Sequence, residues 1–236
     1  MSKISALRAP PTNRLLAALP RDEYRKLLPD LEQFPLMFGE LIYRPGAVVR
    51  HVYFPTSGIV SLLADLDEGG SLEVGIVGRE GMAGMSVFMG VKTSLNRVLV
   101  QGAGSALRMK ATTLRAVTDN DGSLSRLLRR YSYSLWAQLS QSSVCNLYHP
   151  IDARLARWLL MTRDRMEANE FLITQEFLSS MLGVRREGVN KAAGKLQQQR
   201  LISYTRGTLI ILKPAALTAL ACRCYRIIKK EYDSAP

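Results

Sequence analysis

The spacing of hydrophobic positions changes twice along the chain. Between residues 38 and 109, short apolar runs are separated by turn-forming stretches such as residues 44–46 and 55–58. Short alternating strands with a turn signal about every ten residues predict an antiparallel β-sandwich or barrel. Before this segment, Asn13 is expected to cap a short helix.

A helical period follows. Leucine and tyrosine recur at intervals of three and four residues, which predicts one long helix of about twenty residues with an apolar stripe. Such a stripe usually packs into a core, but this one lies between two segments of different pattern, so a dimer seam is an equally good interpretation. The predicted seam residues are Leu124, Leu128, Tyr131, Leu135 and Leu139.

Residues 173–196 have the pattern of two short helices joined by a tight turn. Thr174 can cap the first helix, and Gly183 suits the positive φ of the turn. Together with the apolar spacing on both helices, this predicts a helix-turn-helix, a unit that binds DNA. The expected buried face of the second helix comprises Val184, Val189, Ala192 and Leu196.

The outward face of this second helix has the chemistry that reads a DNA major groove. It carries one acid against four bases, whereas a solvated helix usually mixes both signs in i,i+4 pairs. Arginine can donate two hydrogen bonds to guanine, and glutamate can accept one from cytosine. The predicted DNA-binding residues on this face are Arg185, Arg186, Glu187, Asn190, Lys191 and Lys195.

A β-hairpin is predicted directly after the second helix. The apolar residues 201–204 and 208–212 have the pattern of two strands, and their connection places Arg206 where it can contact a phosphate. Arg206 and the capping residue Thr174 are therefore added to the predicted DNA-binding residues. An amphipathic helix over residues 151–161 supports the unit, with Trp158 in its core.

A stretch rich in glycine and methionine, residues 78–90, interrupts the strand pattern. Its glycines allow close backbone approach, and its apolar side chains could either line a ligand pocket or fill the mouth of the barrel as a short helix. Both interpretations stay open. The candidate residues for an effector pocket are Glu73, Gly81, Met82, Gly84, Met85, Ser86 and Arg97.

The net charge and the hydropathy of the chain indicate which kinds of partner it can bind. The 236 residues include 32 Lys and Arg against 20 Asp and Glu, and the resulting net charge of +12 favours a polyanion such as nucleic acid. The longest uncharged stretch is too polar to span a bilayer, and the N-terminus lacks a secretory signal. We therefore expect a cytoplasmic protein without a membrane partner.

Three cysteines and two histidines limit the chemistry of the chain. Cys222 and Cys224 are separated by one residue, which is tighter than usual zinc-ligand spacing, so no metal site is predicted. The sequence assigns no role to Cys145, Cys222 or Cys224. It also lacks a nucleophile motif, a phosphate-binding loop and the ligand cluster of a metal enzyme, so an enzyme is not expected.

In the order of its segments, the chain resembles the Crp/Fnr superfamily of bacterial transcription regulators. The most specific match is Leu182-Gly-Val-Arg-Arg-Glu-Gly-Val189, which is similar to the family's Gly-x-Ser-Arg-Glu-x-Val at the start of the recognition helix. The resemblance implies base-contact roles for Arg186, Glu187 and Lys191. Arg185 stands where the family commonly has serine.

The sensor half departs from the cyclic-nucleotide members of that family. Their phosphate-binding cassette resembles Gly-Glu-Leu followed by Arg-x-Ala, whereas Met85 and Ser86 follow Gly84 here, and Arg97 lies in a different context. A cyclic nucleotide is not expected, because no charge-assisted pair would hold its phosphate. An iron–sulfur cluster is not expected either, because the first cysteine is Cys145. No cofactor is identified.

Together these observations predict an α+β chain of three parts. An antiparallel β-roll sensor of the jelly-roll, cyclic-nucleotide-binding-like type is expected over residues 1–122, a dimerisation helix and hinge over 123–149, and a winged helix-turn-helix domain over 150–236. Pro150 marks the last boundary.

The expected function is that of a homodimeric transcription regulator that reads a palindromic site in double-stranded DNA. RNA polymerase is a candidate further partner, and a small-molecule effector is not identified. The alternative is an effector-binding β-roll module that regulates a partner protein without reading DNA.

Overall fold

The computed structural model describes residues 12–67 and 70–234. Its helices are α1 (Arg14–Ala17), α2 (Arg21–Leu27), α3 (Met85–Phe88), α4 (Ala111–Thr118), α5 (Ser123–Tyr148), α6 (Ile151–Met166), α7 (Gln175–Leu182), α8 (Arg186–Gln198), α9 (Pro214–Leu220) and α10 (Arg223–Ser234), with a 3₁₀ turn at Leu28–Asp30. Its strands are β1 (Glu32–Leu36), β2 (Leu41–Tyr43), β3 (His51–Asp65), β4 (Ser71–Val77), β5 (Arg97–Lys110), β6 (Glu170–Leu172), β7 (Ile202–Thr205) and β8 (Thr208–Ile211).

The described chain divides into two compact units. The first contains the residues up to Ser61 together with Ile76–Leu135, and the second contains Leu62–Gly75 together with Trp136–Asp233. The division between the compact units falls inside α5, and the domain boundaries expected after residues 122 and 149 stay a prediction. A continuous helix gives the hydrophobic pattern no break at this point.

Five strands form one sheet in the order β1-β5-β3-β4, and β2 also pairs with β5. The pairing of β1 with β5 is antiparallel, from Glu32 opposite Arg108 to Leu36 opposite Gly104. Large apolar side chains of β3 and β5, including Phe54, are buried. Burial of this apolar surface is the main stabilising contribution in the sheet.

Asn13 caps the first helix, as the sequence predicts, and its side chain also bonds to two other parts of the first unit. Its Oδ1 accepts a hydrogen bond from the Leu16 amide at 3.3 Å, which caps α1. Its Nδ2 donates to the carbonyl oxygens of Pro55 at 3.0 Å and Gly81 at 2.9 Å. The side chain is fully buried, so these bonds satisfy polar groups that water cannot reach.

The side of α5 that carries the predicted seam residues faces the interior of its own subunit. Four of the five seam residues, Leu124, Leu128, Tyr131 and Leu135, are buried in the single chain, and Leu139 is half-buried. These four side chains are packed within the protomer, which favours the core interpretation for this part of the stripe. Their place in a dimer seam stays a prediction.

A second apolar stripe on α5 remains exposed. Tyr133, Trp136, Val144 and Leu147 show between 46% and 74% of their surface. At about 100° per residue, these four positions fall within a narrow arc on the side of the helix opposite the buried stripe.

The second unit contains the winged helix-turn-helix elements. The helices α6, α7 and α8 accompany a three-stranded sheet of order β6-β8-β7. Trp158 of α6 is buried, in agreement with its predicted place in the core. The short strand β6 was not predicted, because three residues are too few to show an alternating pattern.

The last helix, α10, is tied to α6 by tyrosine hydroxyls. Tyr225 donates a hydrogen bond to the Asp164 carboxylate at 3.0 Å, and Tyr232 donates to the Asp164 carbonyl oxygen at 3.2 Å. Burial, followed by the negative charge of Asp164, raises the pKa of Tyr225, so its hydroxyl stays protonated and can donate.

No helix in the two described ranges combines the length and the apolar character that a membrane crossing requires.

The turn glycine offers a test of the local backbone. Gly183 has a φ of +60°, a conformation that costs an L-residue about 1–2 kcal/mol. We expect Gly183→Ala to lower the free energy of unfolding by at least about that amount, because the added Cβ would also lie 2.7 Å from Cδ1 of Leu72, which must shift. Gly194→Ala is the control: Gly194 lies within α8 with no atom near the added methyl group, so it should raise the same quantity by about 0.5–1 kcal/mol. Urea unfolding followed by tryptophan fluorescence measures both, and equal shifts would contradict the assignment.

The cap of α7 gives a second test. The Thr174 hydroxyl accepts a hydrogen bond from the Phe177 amide at 3.1 Å. Thr174→Ala removes this acceptor and should cost about 1 kcal/mol of unfolding free energy, whereas Thr174→Ser keeps it and should stay near wild type. Urea unfolding of the two variants compares them directly, and equal losses would show that the hydroxyl does not cap the helix.

Candidate nucleic-acid interface

The helix-turn-helix is set by local capping at both ends of α7. Thr174 caps its start, and Gly183 ends it in the left-handed conformation, with its amide bonded to the Ser180 carbonyl oxygen. Leu178, Met181 and Leu182 are buried on its inner side. The turn residue and the cap predicted from the sequence are therefore both found.

The second helix, α8, has one buried apolar face and one exposed polar face. Val189, Ala192, Ala193 and Leu196 are buried, while Val184, which precedes the helix, is half-buried. The predicted contact residues all lie on the exposed side: Arg185, Arg186, Glu187, Asn190, Lys191 and Lys195. Arg185 is the N-cap residue and makes no side-chain capping bond. The Gly188 amide bonds to the Arg185 carbonyl oxygen at 3.0 Å, whereas the Arg185 side chain leaves the amides of Arg186 and Glu187 available to an anion such as a phosphate.

Lys195 differs from the other exposed bases because its own chain pairs it. Its Nζ lies 2.6 Å from Oδ2 of Asp152, which is near the start of α6. Both groups are partly exposed, so the pair contributes modestly to stability. Its main effect is to hold the ammonium group of Lys195 toward α6.

A buried arginine fixes the end of α7. The guanidinium of Arg154 in α6 donates a hydrogen bond to the Leu182 carbonyl oxygen, one of the carbonyls that a helix end leaves without a partner. Burial lowers the pKa of Arg154, but its usual value is so high that it stays charged. The bond fixes the position of the turn that leads into α8.

The wing is a tight two-residue hairpin. Thr205 pairs with Thr208 across it, and Arg206 and Gly207 have φ values of +50° and +84°. Positive φ at both positions is typical of a type I′ turn, which matches the twist of the strands. Arg206 lies at the exposed tip, as predicted.

The wing is bound to the start of α7 through Ile173. The Ile173 amide donates to the Gly207 carbonyl oxygen at 2.7 Å, and the Tyr204 hydroxyl donates to the Ile173 carbonyl oxygen at 2.8 Å. Burial raises the pKa of Tyr204, and the charge of Arg186 offsets part of this rise. Thr174 is exposed beside this junction. The predicted DNA-binding residues therefore belong to one connected set of elements.

The glycine- and methionine-rich stretch is filled by protein. A Cβ atom at Gly81 would lie 2.2 Å from the ring of Tyr131, and one at Gly84 would lie 3.0 Å from the Tyr43 hydroxyl. Met82 and Met85 are buried, and α3 begins at Met85. The short packed helix of the second interpretation is present as α3, and the pocket interpretation stays a prediction. The remaining candidates are a buried Glu73 and half-buried Ser86 and Arg97.

A cavity of about 310 Å³ lies in the first unit beside α3, and Val87 of α3 forms part of its wall. None of the seven effector-pocket candidates lines it. Its wall includes the basic residues Arg50, His51, Lys92, Lys110 and Arg115. The sequence gives no signal for it, because these residues come from separate stretches of the chain.

The sequence analysis also missed a grouping of possible metal ligands. Donor atoms of Cys145, His149, Cys222 and Cys224 lie within 4.8 Å of one another. The sequence shows two local pairs, Cys222 with Cys224 and Cys145 with His149, but it does not show that the pairs meet, since Cys145 and Cys222 are 77 positions apart.

Comparison with known families finds a match within the second unit. Residues 153–220 match the family model of the Crp-like helix-turn-helix domain. This range contains α7, the turn, α8 and the wing. No curated protein sequence matches the chain.

Solved structures share the fold over most of the chain. A Crp/Fnr-family transcriptional regulator from Eubacterium rectale superimposes with a TM-score of 0.66 at 17% identity, covering 89% of this chain and 98% of that one. FixK2 from Bradyrhizobium japonicum gives 0.66 at 16% identity, covering 81% and 98%. The c-di-GMP-responsive global regulator CLP from Xanthomonas campestris gives 0.62 at 18% identity, covering 81% and 99%.

These comparisons confirm the α+β fold, with a β-roll followed by a helix-turn-helix, that the sequence predicted. Residues 153–220 form a Crp-like helix-turn-helix domain, and the chain has the fold of the Crp/Fnr family of DNA-binding transcription regulators.

Proposed function

We propose that the protein acts in the cytoplasm as a homodimer that reads an inverted-repeat DNA site through α8. One observation carries the proposal: the exposed face of α8 is basic at its start, and its opposite face is buried in a Crp-like helix-turn-helix domain. A helix held in this way can enter a major groove with its first turns against the bases.

The base-reading set comprises Arg186, Glu187, Asn190 and Lys191. They follow one another within the first two turns of α8, all on the exposed side. Arg186 matches guanine, Glu187 matches the amino group of cytosine, and Asn190 matches adenine. Lys191 adds a charge that can meet a base or a phosphate.

The groups that contact phosphates lie on either side of this base-reading set. The open amides at the start of α8 and the charge of Arg185 lie on one side, and Arg206 lies at the tip of the wing. Such contacts hold the protein in register without reading sequence. Because Asp152 pairs with Lys195, we assign Lys195 to positioning α8 rather than to reading bases.

The exposed stripe of α5 supplies the dimer interface of the proposal. Trp136, Val144 and Leu147 are large apolar side chains in water, and a second copy of the same helix buries them by symmetry. The four positions of the stripe are three, eight and three residues apart, so they share one face of the helix, as a helix–helix seam requires. Two recognition helices then meet half-sites about 34 Å apart, one turn of DNA. RNA polymerase remains a candidate further partner.

Substitutions in α8 and the wing separate base reading from phosphate binding. We expect Arg186→Ala to weaken binding to a duplex selected from a random library by about 10- to 100-fold and to relax the preference at one base pair in each half-site. Arg206→Asn removes the wing charge while tolerating the positive φ; it should weaken all sequences alike and reduce the salt dependence.

Lys230→Ala is the matched control. Lys230 is an exposed base of α10 in the same unit, so its removal should change affinity little. Fluorescence anisotropy at several salt concentrations measures all three variants. Binding by the wild-type protein that ignores sequence at physiological salt would overturn the proposed function.

The dimer interface is tested separately. Trp136 is 68% exposed, so Trp136→Glu should leave the fold intact while placing two like charges in the seam. Sedimentation at micromolar concentration should show a dimer for the wild-type chain and a monomer for the variant. Leu95→Glu, at an 87% exposed apolar residue outside α5, should stay dimeric. A monomeric wild-type protein, or a dimer that survives Trp136→Glu, would rule out this seam.

A further inference from the structure

All three cysteines of the chain and one of its two histidines lie together in the second unit. The Sγ atoms of Cys145 and Cys222 are 3.3 Å apart, and Sγ of Cys224 is 3.6 Å from Nδ1 of His149. All four donor atoms lie within 4.8 Å of one another. Neither the DNA-reading surface nor the dimer stripe uses these groups.

Two helix ends bring the four residues together. Cys145 and His149 are one turn apart at the end of α5, where the His149 amide bonds to the Cys145 carbonyl oxygen at 3.1 Å. Their side chains therefore share one face of the helix. Cys222 and Cys224 flank the first residue of α10, and the Tyr225 amide bonds to the Cys222 carbonyl oxygen at 3.0 Å.

The spacing of the donor atoms fits a tetrahedral metal centre. A zinc ion with Zn–S bonds of about 2.3 Å separates two of its sulfur ligands by about 3.8 Å. The two short separations, 3.3 Å and 3.6 Å, are at most about 0.5 Å below this value, and no pair of donor atoms is more than 4.8 Å apart, so small side-chain rotations bring all four atoms to one ion. The three sulfurs are also free thiols in the structure rather than a disulfide.

Burial makes the cluster a closed site. Cys145, Cys222 and Cys224 are buried, and Ala153 packs with them. Three thiolates and one imidazole fill the four positions of a tetrahedral ion and leave none for a substrate. Closed Cys₃His sites of this kind are structural zinc sites, and thiolate with imidazole favours zinc over magnesium or calcium.

Charge gives an independent argument. Arg154 and Arg157 are buried, and their hydrogen bonds go to neutral acceptors: the Leu182 carbonyl oxygen for Arg154, and the Ser142 hydroxyl and Met161 sulfur for Arg157. Within the described residues, Nε of each arginine lacks a hydrogen-bond partner. Buried charges require compensation, so two guanidinium groups here call for negative charge nearby.

The thiol cluster can supply that charge. Arg157 donates a hydrogen bond to the Ser142 hydroxyl, about one turn before Cys145 on α5, and Arg154 directly follows Ala153, which packs with all three cysteines. A zinc(II) ion with three thiolates and a neutral imidazole carries one net negative charge. Metal loading therefore places a compensating charge beside both arginines.

We propose that Cys145, His149, Cys222 and Cys224 together bind one zinc ion. The ion fastens the start of α10 to the end of α5 and so closes the segment that contains the winged helix-turn-helix. Because unfolding separates ligands 77 positions apart, metal binding contributes directly to the folding of this segment. The proposal does not depend on DNA binding.

Metal analysis of the intact protein tests the site. The chain is purified without a histidine tag, under reducing conditions and without chelators, and its metals are counted by mass spectrometry. We expect about one zinc per chain in the wild-type protein and under about 0.1 in Cys222→Ser and Cys224→Ser. His51→Gln removes the only other histidine and should keep the full zinc content.

Cobalt substitution reports the ligands directly. Replacing zinc with cobalt(II) in the wild-type protein should give thiolate charge-transfer bands and the strong visible bands of a tetrahedral site. His149→Gln should change the visible bands while keeping the thiolate bands. If the cysteine variants fail to fold, this titration of the wild-type chain decides the question.

Chelation gives the functional readout. Zinc removal should lower the midpoint of thermal unfolding, and zinc, unlike magnesium, should restore it. Three results would overturn the proposal: substoichiometric metal with no cobalt spectrum, full zinc content in Cys222→Ser, or a Cys145–Cys222 disulfide found by peptide mass mapping after reducing purification.

Discussion

The rotation of α8 about its own axis decides which side chains this protein presents to a partner. Four residues fix that rotation: Val189, Ala192, Ala193 and Leu196 are buried on one side. Since an α-helix repeats about every 3.6 residues, burying this stripe turns the basic positions outward. Two of the four are alanines, whose small side chains let the helix backbone pack close to its support. The proposed DNA-reading surface depends on this packing.

Polar contacts then fix the elements around α8. Arg154 bonds to the last carbonyl of α7, Asp152 pairs with Lys195, and Ile173 joins the wing to the start of α7. Each contact satisfies a backbone or charged group that would otherwise stay without a partner, and each links two elements. Preorganisation of this kind lowers the entropy that the surface loses when it binds.

Different sides of the helix α5 make different contacts. One side packs inside the protomer, where the Tyr131 ring lies directly on the backbone of Gly81. The opposite side keeps apolar residues such as Trp136 exposed. The last turn carries Cys145 and His149 toward the start of α10. A substitution in α5 therefore acts on packing, association or the thiol cluster according to the side on which it falls.

The sequence by itself determined the features that depend on neighbours within a few residues. The cap at Thr174, the turn at Gly183, the two faces of α8 and the wing all follow from local periodicity and backbone preference, and the structure has them where the pattern predicts. Only the tertiary structure decided which stripe of α5 is buried, that Lys195 is paired with Asp152, and that Cys145 meets Cys222. These outcomes depend on contacts between residues distant in sequence, and an amphipathic pattern shows that a face is apolar without showing what covers it.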